Sequence, residues 1–142
     1  MESTTDMETP LSTSPLYEAI TQNIRVTVLP RFIPENSNAE ISKYFYVYTV
    51  TMTNESQSTV QLQKRRWEIC NALGEVETVE GDGVIGEKPI LSPGESYSYT
   101  SSCPLDTPTG SMKGSYIFKD PEGNMLDVEI PEFYLRDKSL LN

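Results

Sequence analysis

Apolar and polar residues alternate over short runs along most of the chain. Near its end, for example, Leu126, Val128 and Ile130 alternate with Asp127 and Glu129. A period of two is typical of strands that bury one face. Seven or eight such runs, separated by Gly, Pro, Asn and Asp at spacings of about 8–14 residues, predict an all-β fold, an antiparallel β-sandwich.

Two of the runs indicate their place in a sheet. Residues 44–53 carry large or branched groups on both faces, which predicts a central strand covered on both sides. The first run, which starts at Ile24, is followed by Pro30 and Pro34. Proline donates no backbone hydrogen bond, so we expect that strand at a sheet edge.

The run over residues 60–70 changes parity in its middle. Val60 and Leu62 occupy even positions, whereas Trp67 and Ile69 occupy odd ones. A regular strand cannot point both pairs inward. The pattern therefore predicts a β-bulge near Lys64-Arg65-Arg66, which would push this basic cluster outward.

An acidic segment, residues 75–87, follows that basic cluster after a turn. Because the two strands would be antiparallel neighbours, we expect Lys64-Arg65-Arg66 to pair with carboxylates across the hairpin. A docking patch for an acidic partner or a phosphate is the alternative. On the returning strand, Val76 is expected to face inward, and Glu75 and Glu77 to face solvent.

The chain has 142 residues and a formal net charge of −10, which argues against nucleic acid and anionic membranes as partners. Residues 1–22 contain acids and no base, and we expect a disordered acidic tail there, before one domain at 23–142. No apolar run approaches the ~20 residues of a membrane helix, and the N-terminus lacks the features of a signal peptide. We therefore expect a cytoplasmic location.

The chain contains no histidine. This excludes Ser-His-Asp and Cys-His nucleophilic arrangements, imidazole acid–base catalysis and most zinc sites. Cys70 and Cys103 lie in predicted strands without a C-x-x-C spacing, which favours two half-buried thiols; a disulfide would need Cα atoms within about 7 Å. No arrangement of nucleophile and base remains, and we do not expect an enzyme.

Residues 81–86 spell G-x-G-x-x-G through Gly81, Gly83 and Gly86. A dinucleotide fingerprint needs a helix directly after these glycines, and two nearby prolines prevent one. Three interpretations stay open: a bend where the chain leaves one sheet for the other, a protein-contact loop, and an anion site. The anion would be a phosphate or pyrophosphate, assisted by Arg65 and Arg66.

The same region is rich in carboxylates. Glu75, Glu77, Glu80, Asp82 and Glu87 lie within one short stretch, and Mg²⁺ binds through such oxygen ligands. Glu80, Asp82 and Glu87 are the candidates for weak binding of Mg²⁺ or Co²⁺, with little selectivity because imidazole and thiolate ligands are missing. Solvated acids on a strand face are the simpler interpretation, and we expect no cofactor.

Several ordered motifs resemble the ApaG family. They are Gly81-Asp82-Gly83-Val84-Ile85-Gly86-Glu87-Lys88-Pro89, Leu91-Ser92-Pro93-Gly94-Glu95, Thr107-Pro108-Thr109-Gly110-Ser111-Met112-Lys113-Gly114-Ser115-Tyr116, Arg65-Arg66-Trp67 and Ile130-Pro131-Glu132-Phe133-Tyr134-Leu135. The resemblance covers residues 23–142 and implies a fibronectin type III-like or immunoglobulin-like sandwich. It also implies an association with cobalt and magnesium efflux and, from eukaryotic relatives, a role as an interaction module. It brings no settled enzymatic activity.

Two functional hypotheses follow. The first is a non-enzymatic ApaG-type binding module that mediates a protein–protein interaction. The second is a protein that binds phosphate, pyrophosphate or, weakly, a divalent metal through the glycine loop 81–86. In either case an exposed edge strand could support a homodimer by sheet extension.

Overall fold

A computed structural model describes residues 16–140. This part of the chain forms nine strands in two antiparallel sheets and contains no α-helix. The strands are β1 (Tyr17–Thr21), β2 (Ile24–Phe32), β3 (Tyr44–Asn54), β4 (Val60–Asn71), β5 (Val76–Asp82), β6 (Ile90–Leu91), β7 (Ser96–Leu105), β8 (Gly110–Lys119) and β9 (Met125–Leu135). The predicted all-β antiparallel sandwich is confirmed, with nine strands among these residues rather than seven or eight.

Single 3₁₀ turns cover Pro34–Asn36, Ala39–Ile41 and Lys138–Leu140. No helix between residues 16 and 140 has the length and apolar character to cross a membrane. The finer likeness to fibronectin type III and immunoglobulin domains stays a prediction.

The order of the strands leaves one side of the sandwich open. Sheet one has the order β1-β2-β3-β7, and sheet two has the order β9-β8-β4-β5, with the short β6 also paired to β4. Strand β9 packs against β1 and β2 and closes one side. On the opposite side β5 and β7 end their sheets, and neither has a further strand neighbour among residues 16–140. The fold therefore presents two free sheet edges on the same side.

The core lies between the sheets and is built from the alternating residues of both. Val28, Val50, Phe118 and Val128, one from each of four strands, are fully buried. Trp67 is 3% exposed and lies at the centre of an aromatic group. Edge-to-face contacts of this kind add to the stabilisation that burial provides.

The parity change in β4 is a β-bulge, as predicted. Leu62 pairs with Phe118 of β8, and Lys64 pairs with the adjacent Ile117, so Gln63 is the extra residue. This insertion lets the even-numbered apolar residues before it and Trp67 after it all reach the core.

The bulge turns only part of the basic cluster outward. Lys64 and Arg66 are exposed. Arg65 is half-buried on the face that Trp67 occupies, opposite Tyr116 of β8. The prediction that the whole cluster points outward is therefore wrong for Arg65, because successive side chains of a strand face opposite ways.

The first sheet begins earlier than expected. Residues 17–21, assigned from the sequence to a disordered tail over 1–22, form β1 and pair with β2. Residues 1–15 of that expected tail lie outside the described residues. The alternation in β1 is weak because only five residues are paired, which hides the strand in the sequence.

Strand β2 is an interior strand, not an edge strand. It pairs with β1 through Ile24–Val28 and with β3 along its whole length. The edge position predicted from Pro30 and Pro34 is therefore wrong. Pro30 lies beyond the last residue paired with β1, so its missing N–H costs no hydrogen bond on that side.

Strand β3 is central, between β2 and β7, as predicted. The prediction that both of its faces are covered is wrong, because Thr49, Thr51 and Thr53 are only half-buried on the outer face. Their hydroxyls form hydrogen bonds with hydroxyls of β7. Branched residues suit a half-exposed strand face as well as a buried one, so the sequence pattern does not distinguish the two.

The register of β5 differs from the one expected. Val79 pairs with Trp67 and faces the core, and Glu77 lies on the same face. Val76 lies on the other face and is 61% exposed. The prediction that Val76 points inward is wrong, because a shift of one residue reverses every side chain of a strand. Glu77 lies on the inner face rather than the outer one, but it and Glu75 are exposed to solvent, as predicted.

Candidate functional site

A cleft of about 700 Å³ lies between the free edges of β5 and β7 and opens to solvent. It forms there because β9 holds the sheets together only on the far side. Its size falls within the range of ligand sites, about 300–1,000 Å³. The cleft is therefore the candidate site.

The inner wall of the cleft is mostly apolar and aromatic. The residues that form it are Tyr48, Trp67, Ile69, Val79, Val84, Tyr99 and Met112. At the mouth, Ile85 is 60% exposed, and Val76, on the outer face at the start of β5, is 61% exposed. An apolar side chain is therefore open to solvent near each end of β5.

Arg65 extends into the cleft from β4. Its Nη1 donates to the carbonyl oxygens of Asp82, at 3.0 Å, and Gly83, at 2.9 Å. A Cβ atom at Gly81 would lie 2.9 Å from the guanidinium. The glycine at position 81 therefore provides the space in which the Arg65 side chain lies.

Three tyrosine hydroxyls lie near this guanidinium, those of Tyr48, Tyr99 and Tyr116. The hydroxyls of Tyr99 and Tyr116 are hydrogen-bonded to each other. Burial raises the pKa of all three phenols, and the nearby Arg65 partly opposes the rise in their pKa. The phenols are therefore neutral near pH 7, and Arg65 is the only Lys or Arg among the described residues that line the cleft.

The loop after β5 is a tight turn. The Val84 N–H donates to the carbonyl of Glu87, and the Glu87 N–H donates back to the carbonyl of Val84. Ile85 and Gly86, between them, have φ of +41° and +80°. Two positive φ values define a mirror-image turn of type I′. Gly83 also has positive φ, and a Cβ atom there would collide with the Glu87 carbonyl oxygen.

These contacts account for all three glycines of the G-x-G-x-x-G motif. Gly83 and Gly86 adopt left-handed conformations, and Gly81 leaves space for Arg65. Phosphate binding by this loop stays a prediction.

Ile85 is the conformational outlier of the turn. A β-branched side chain rarely adopts positive φ, and such strain costs about 1–3 kcal/mol. Its side chain nevertheless lines the mouth of the cleft and is largely exposed. The strain is therefore not offset by burial of Ile85 within the core.

Carboxylates gather at one end of the cleft. Asn71 Nδ2 donates to Glu75 Oε1 at 2.6 Å and to Asp106 Oδ1 at 3.1 Å. Glu77 faces the same end; burial, and to a lesser degree Glu77, raises the pKa of the Cys103 thiol to about 11. No Lys or Arg nitrogen within residues 16–140 lies within 4.0 Å of Glu75, Glu77 or Asp106.

At the other end a polar contact joins the two edges. The hydroxyl of Tyr97, on β7, donates to Glu87 Oε1 at 2.9 Å. Glu87, a metal candidate from the sequence, is therefore held toward β7. This contact fixes the position of the turn 84–87 against the cleft.

Arg66 and Lys64 lie on the outer face of sheet two, away from the cleft. Arg66 Nε lies 3.1 Å from Glu80, and Lys64 Nζ lies 3.9 Å from Asp82. The predicted pairing across the hairpin is confirmed for these two bases. Because Arg65 faces the opposite side of the sheet, the structure does not bring Arg65 and Arg66 together around one ligand.

The three candidate metal ligands, Glu80, Asp82 and Glu87, do not come together at one site either. Glu80 pairs with Arg66, Asp82 lies near two lysines, and Glu87 contacts Tyr97. Within residues 16–140, no group of three or more Cys, Asp or Glu side chains could hold a metal ion. Binding of Mg²⁺ or Co²⁺ by Glu80, Asp82 and Glu87 stays a prediction.

Sequence reasoning identified the glycine loop and Arg65 but did not identify the cleft. Asp106 lies far from Glu75 in the sequence, and Asn71 joins them only in the fold. The pair Tyr97 and Tyr99, on a strand of otherwise small residues, was the available signal.

Comparison with known proteins gives consistent matches. A family model described as the ApaG domain matches residues 34–120. A protein named ApaG from Methylocella silvestris is 50% identical over 120 residues, which cover 84% of this chain and 92% of the relative. A protein of the same name from Beijerinckia indica is 48% identical with the same coverage. A crystal structure of an ApaA protein from Bordetella pertussis is similar at a TM-score of 0.80 and 39% identity, covering 84% of this chain and 97% of that one.

Proposed function

The chain belongs to the ApaG family, and on that premise we propose that it is a non-enzymatic binding module that takes a protein partner in the cleft between β5 and β7. The observation that carries this proposal is the position of the cleft. It lies between two sheet edges whose outer backbone groups have no strand neighbour among residues 16–140. Free edges of this kind are templates for a further strand.

A polypeptide suits the cleft better than a small molecule. An extended segment can bond to the backbone of an edge strand and place alternate side chains in the adjacent groove. Val76 and Ile85, exposed at the mouth, would lose solvent contact under such a segment. A small molecule held by the inner wall would leave both apolar groups in water.

The strained turn supports the same proposal. Ile85 keeps an unfavourable conformation while its side chain remains exposed beside the cleft. Strained residues cluster where a protein makes functional contacts. An apolar partner surface that covers Ile85 would account for this unfavourable conformation.

The chemistry of the cleft supports binding rather than catalysis. Burial raises the pKa of Tyr48, Tyr99 and Cys103, whereas nucleophiles and bases at active sites are activated. Arg65 donates to backbone carbonyls, and no histidine occurs in the chain. These features support a function without a chemical step.

We also propose a cytoplasmic location, which rests on composition, and an association with cobalt and magnesium efflux, which rests on the family resemblance. A homodimer would use the free edge of β7, whose residues from Ser96 to Leu105 carry no charge.

The proposal is tested by removing the exposed apolar groups of the cleft. In Val76→Asp/Ile85→Asp both substitutions lie at solvent-exposed positions, so the fold should be kept. Ile41→Asp/Met125→Asp is the matched control, since both residues are exposed and lie outside the cleft. Co-purification from the native host should recover the same partner with the wild type and the control, and lose it with the cleft variant.

Hydrogen exchange on the recovered complex should then show protection in β5, β7 or both. A wild-type chain that recovers no reproducible partner would count against the proposal. Equal recovery by the cleft variant and the control would place the interaction elsewhere on the molecule.

A further inference from the structure

We infer that the cleft takes an extended segment bearing Lys or Arg, which adds as a strand to the free edge of β5. This chemistry of the partner rests on the proposed function. Three features of β5 favour such a segment: its unpaired edge, the distribution of charge along that edge, and the order of the side chains that it turns toward the cleft.

The free edge of β5 offers the backbone template. Strand β5 pairs with β4 on one side and has no strand on the other within the described chain. At about 3.3 Å per residue, its length accommodates a segment of about seven residues. A strand added there would cover the mouth of the cleft and point every second side chain into it.

Charge selects a basic segment. Glu75, Glu77 and Asp106 line the cleft at one end, and none has a Lys or Arg within 4.0 Å among residues 16–140. Asn71 holds two of these carboxylates in place. A cationic partner is attracted to such a site, because the three carboxylates outnumber Arg65, the only Lys or Arg among the described residues that line the cleft.

The order of side chains on β5 sets the pattern of the segment. Glu77 and Val79 both face the cleft, two positions apart, and Val79 pairs with Trp67. A partner strand therefore places a basic side chain opposite Glu77 and an apolar one opposite Val79. The recognised pattern is a basic and an apolar residue separated by one position.

The same charges argue against a second copy of the chain at this edge. Strand β5 carries Glu77, Glu80 and Asp82 and no Lys or Arg, so two β5 strands side by side would bring six carboxylates and no base into one strand pair. Like charges close together on neighbouring strands repel each other. Self-association would therefore use β7 rather than β5.

Two synthetic peptides test the inference. In the first heptapeptide, capped at both ends, threonine fills every second position, and lysine and valine alternate at the others. The second carries glutamate in place of each lysine. Each is titrated into the full-length ¹⁵N-labelled chain, and backbone amide shifts are followed. We expect saturable shifts in residues 76–82 with the lysine peptide, and affinity at least about tenfold weaker with the glutamate peptide.

Two matched variants locate the charge effect. Glu75→Gln/Glu77→Gln removes two carboxylates at the cleft, and Glu122→Gln/Asp127→Asn removes two exposed carboxylates elsewhere. The first variant should bind the lysine peptide about three- to tenfold more weakly than the wild type does, and the second should bind it with nearly unchanged affinity. Binding to the wild type should also weaken as salt is raised.

The outcomes separate this inference from the proposed function. Equal binding of both peptides in the cleft would overturn the basic selectivity and leave the binding module standing. No shift in β5, while the native partner is still lost from Val76→Asp/Ile85→Asp, would overturn strand addition at β5 alone. No peptide binding together with no native partner would overturn both.

Discussion

The guanidinium of Arg65 lies against Gly81 at the point where any other residue would carry its side chain, 2.9 Å from the position of a Cβ atom. This contact joins the two features of the sequence that first pointed to phosphate chemistry, the basic cluster and the glycine motif. In the fold they meet through packing and through hydrogen bonds from Arg65 to the carbonyls of Asp82 and Gly83.

Gly81→Ala should therefore displace Arg65 from these carbonyls. Because the crowded atoms belong to the end of a long side chain, we expect a modest loss of about 0.5–1.5 kcal/mol in the free energy of unfolding, measured by urea denaturation. The same substitution in an Arg65→Ala background should cost much less. Equal costs in both backgrounds would mean that the two residues are not coupled.

Ile85→Asn should stabilise the protein and weaken its binding to the proposed protein partner. Asparagine tolerates positive φ far better than a β-branched residue, so the free energy of unfolding should rise by about 1 kcal/mol. Ile90→Asn is the control, since Ile90 is similarly exposed, at 61%, and its φ is not positive. A loss of stability in Ile85→Asn, or an equal gain in Ile90→Asn, would contradict the strain at the turn.

The glycine loop should not bind anions tightly. The N–H groups of Gly83, Val84 and Glu87 already donate to carbonyl oxygens within the protein. Titration of the ¹⁵N-labelled chain with pyrophosphate should therefore give no saturable amide shifts in residues 80–88. Mg²⁺ and Co²⁺ should give none either, because Glu80, Asp82 and Glu87 are held by separate partners. Shifts that cluster there and saturate would favour the alternative function, phosphate or metal binding by the loop 81–86.

Local patterns in the sequence were sufficient for much of the fold. The alternation of apolar residues and the parity change around Gln63 both depend on neighbours within one strand, so the bulge could be predicted before its partner strand was known. Val76 could not be placed in this way. Its direction depends on which residue of β5 pairs with Trp67, and the hairpin sets that pairing.

The candidate site was less accessible to sequence reasoning because it belongs to no single element. Glu75 and Asp106 come together only through Asn71, and Glu87 meets Tyr97 only because the turn 84–87 folds toward β7. The cleft itself arises from the order of strands in both sheets. A pattern with a period of two carries no information about which edges remain free.

Buried phenols should make the fold sensitive to alkali. Burial raises the pKa of Tyr99 and Tyr116 above the ordinary value of about 10, so these groups keep their protons in the folded chain and lose them in the unfolded chain. The stabilisation they contribute is complete below pH 10 and declines as the pH rises further. The decline in the free energy of unfolding should reach about 1.4 kcal/mol per pH unit for each group.

Urea denaturation at a series of pH values from 9 to 11 measures this slope. Tyr116→Phe should reduce it by one group, whatever the substitution does to stability at neutral pH. If Tyr116→Phe and the wild type lose stability equally fast above pH 10, the hydroxyl of Tyr116 is not held neutral by burial, and the core around Tyr116 is more open to water than its packing indicates.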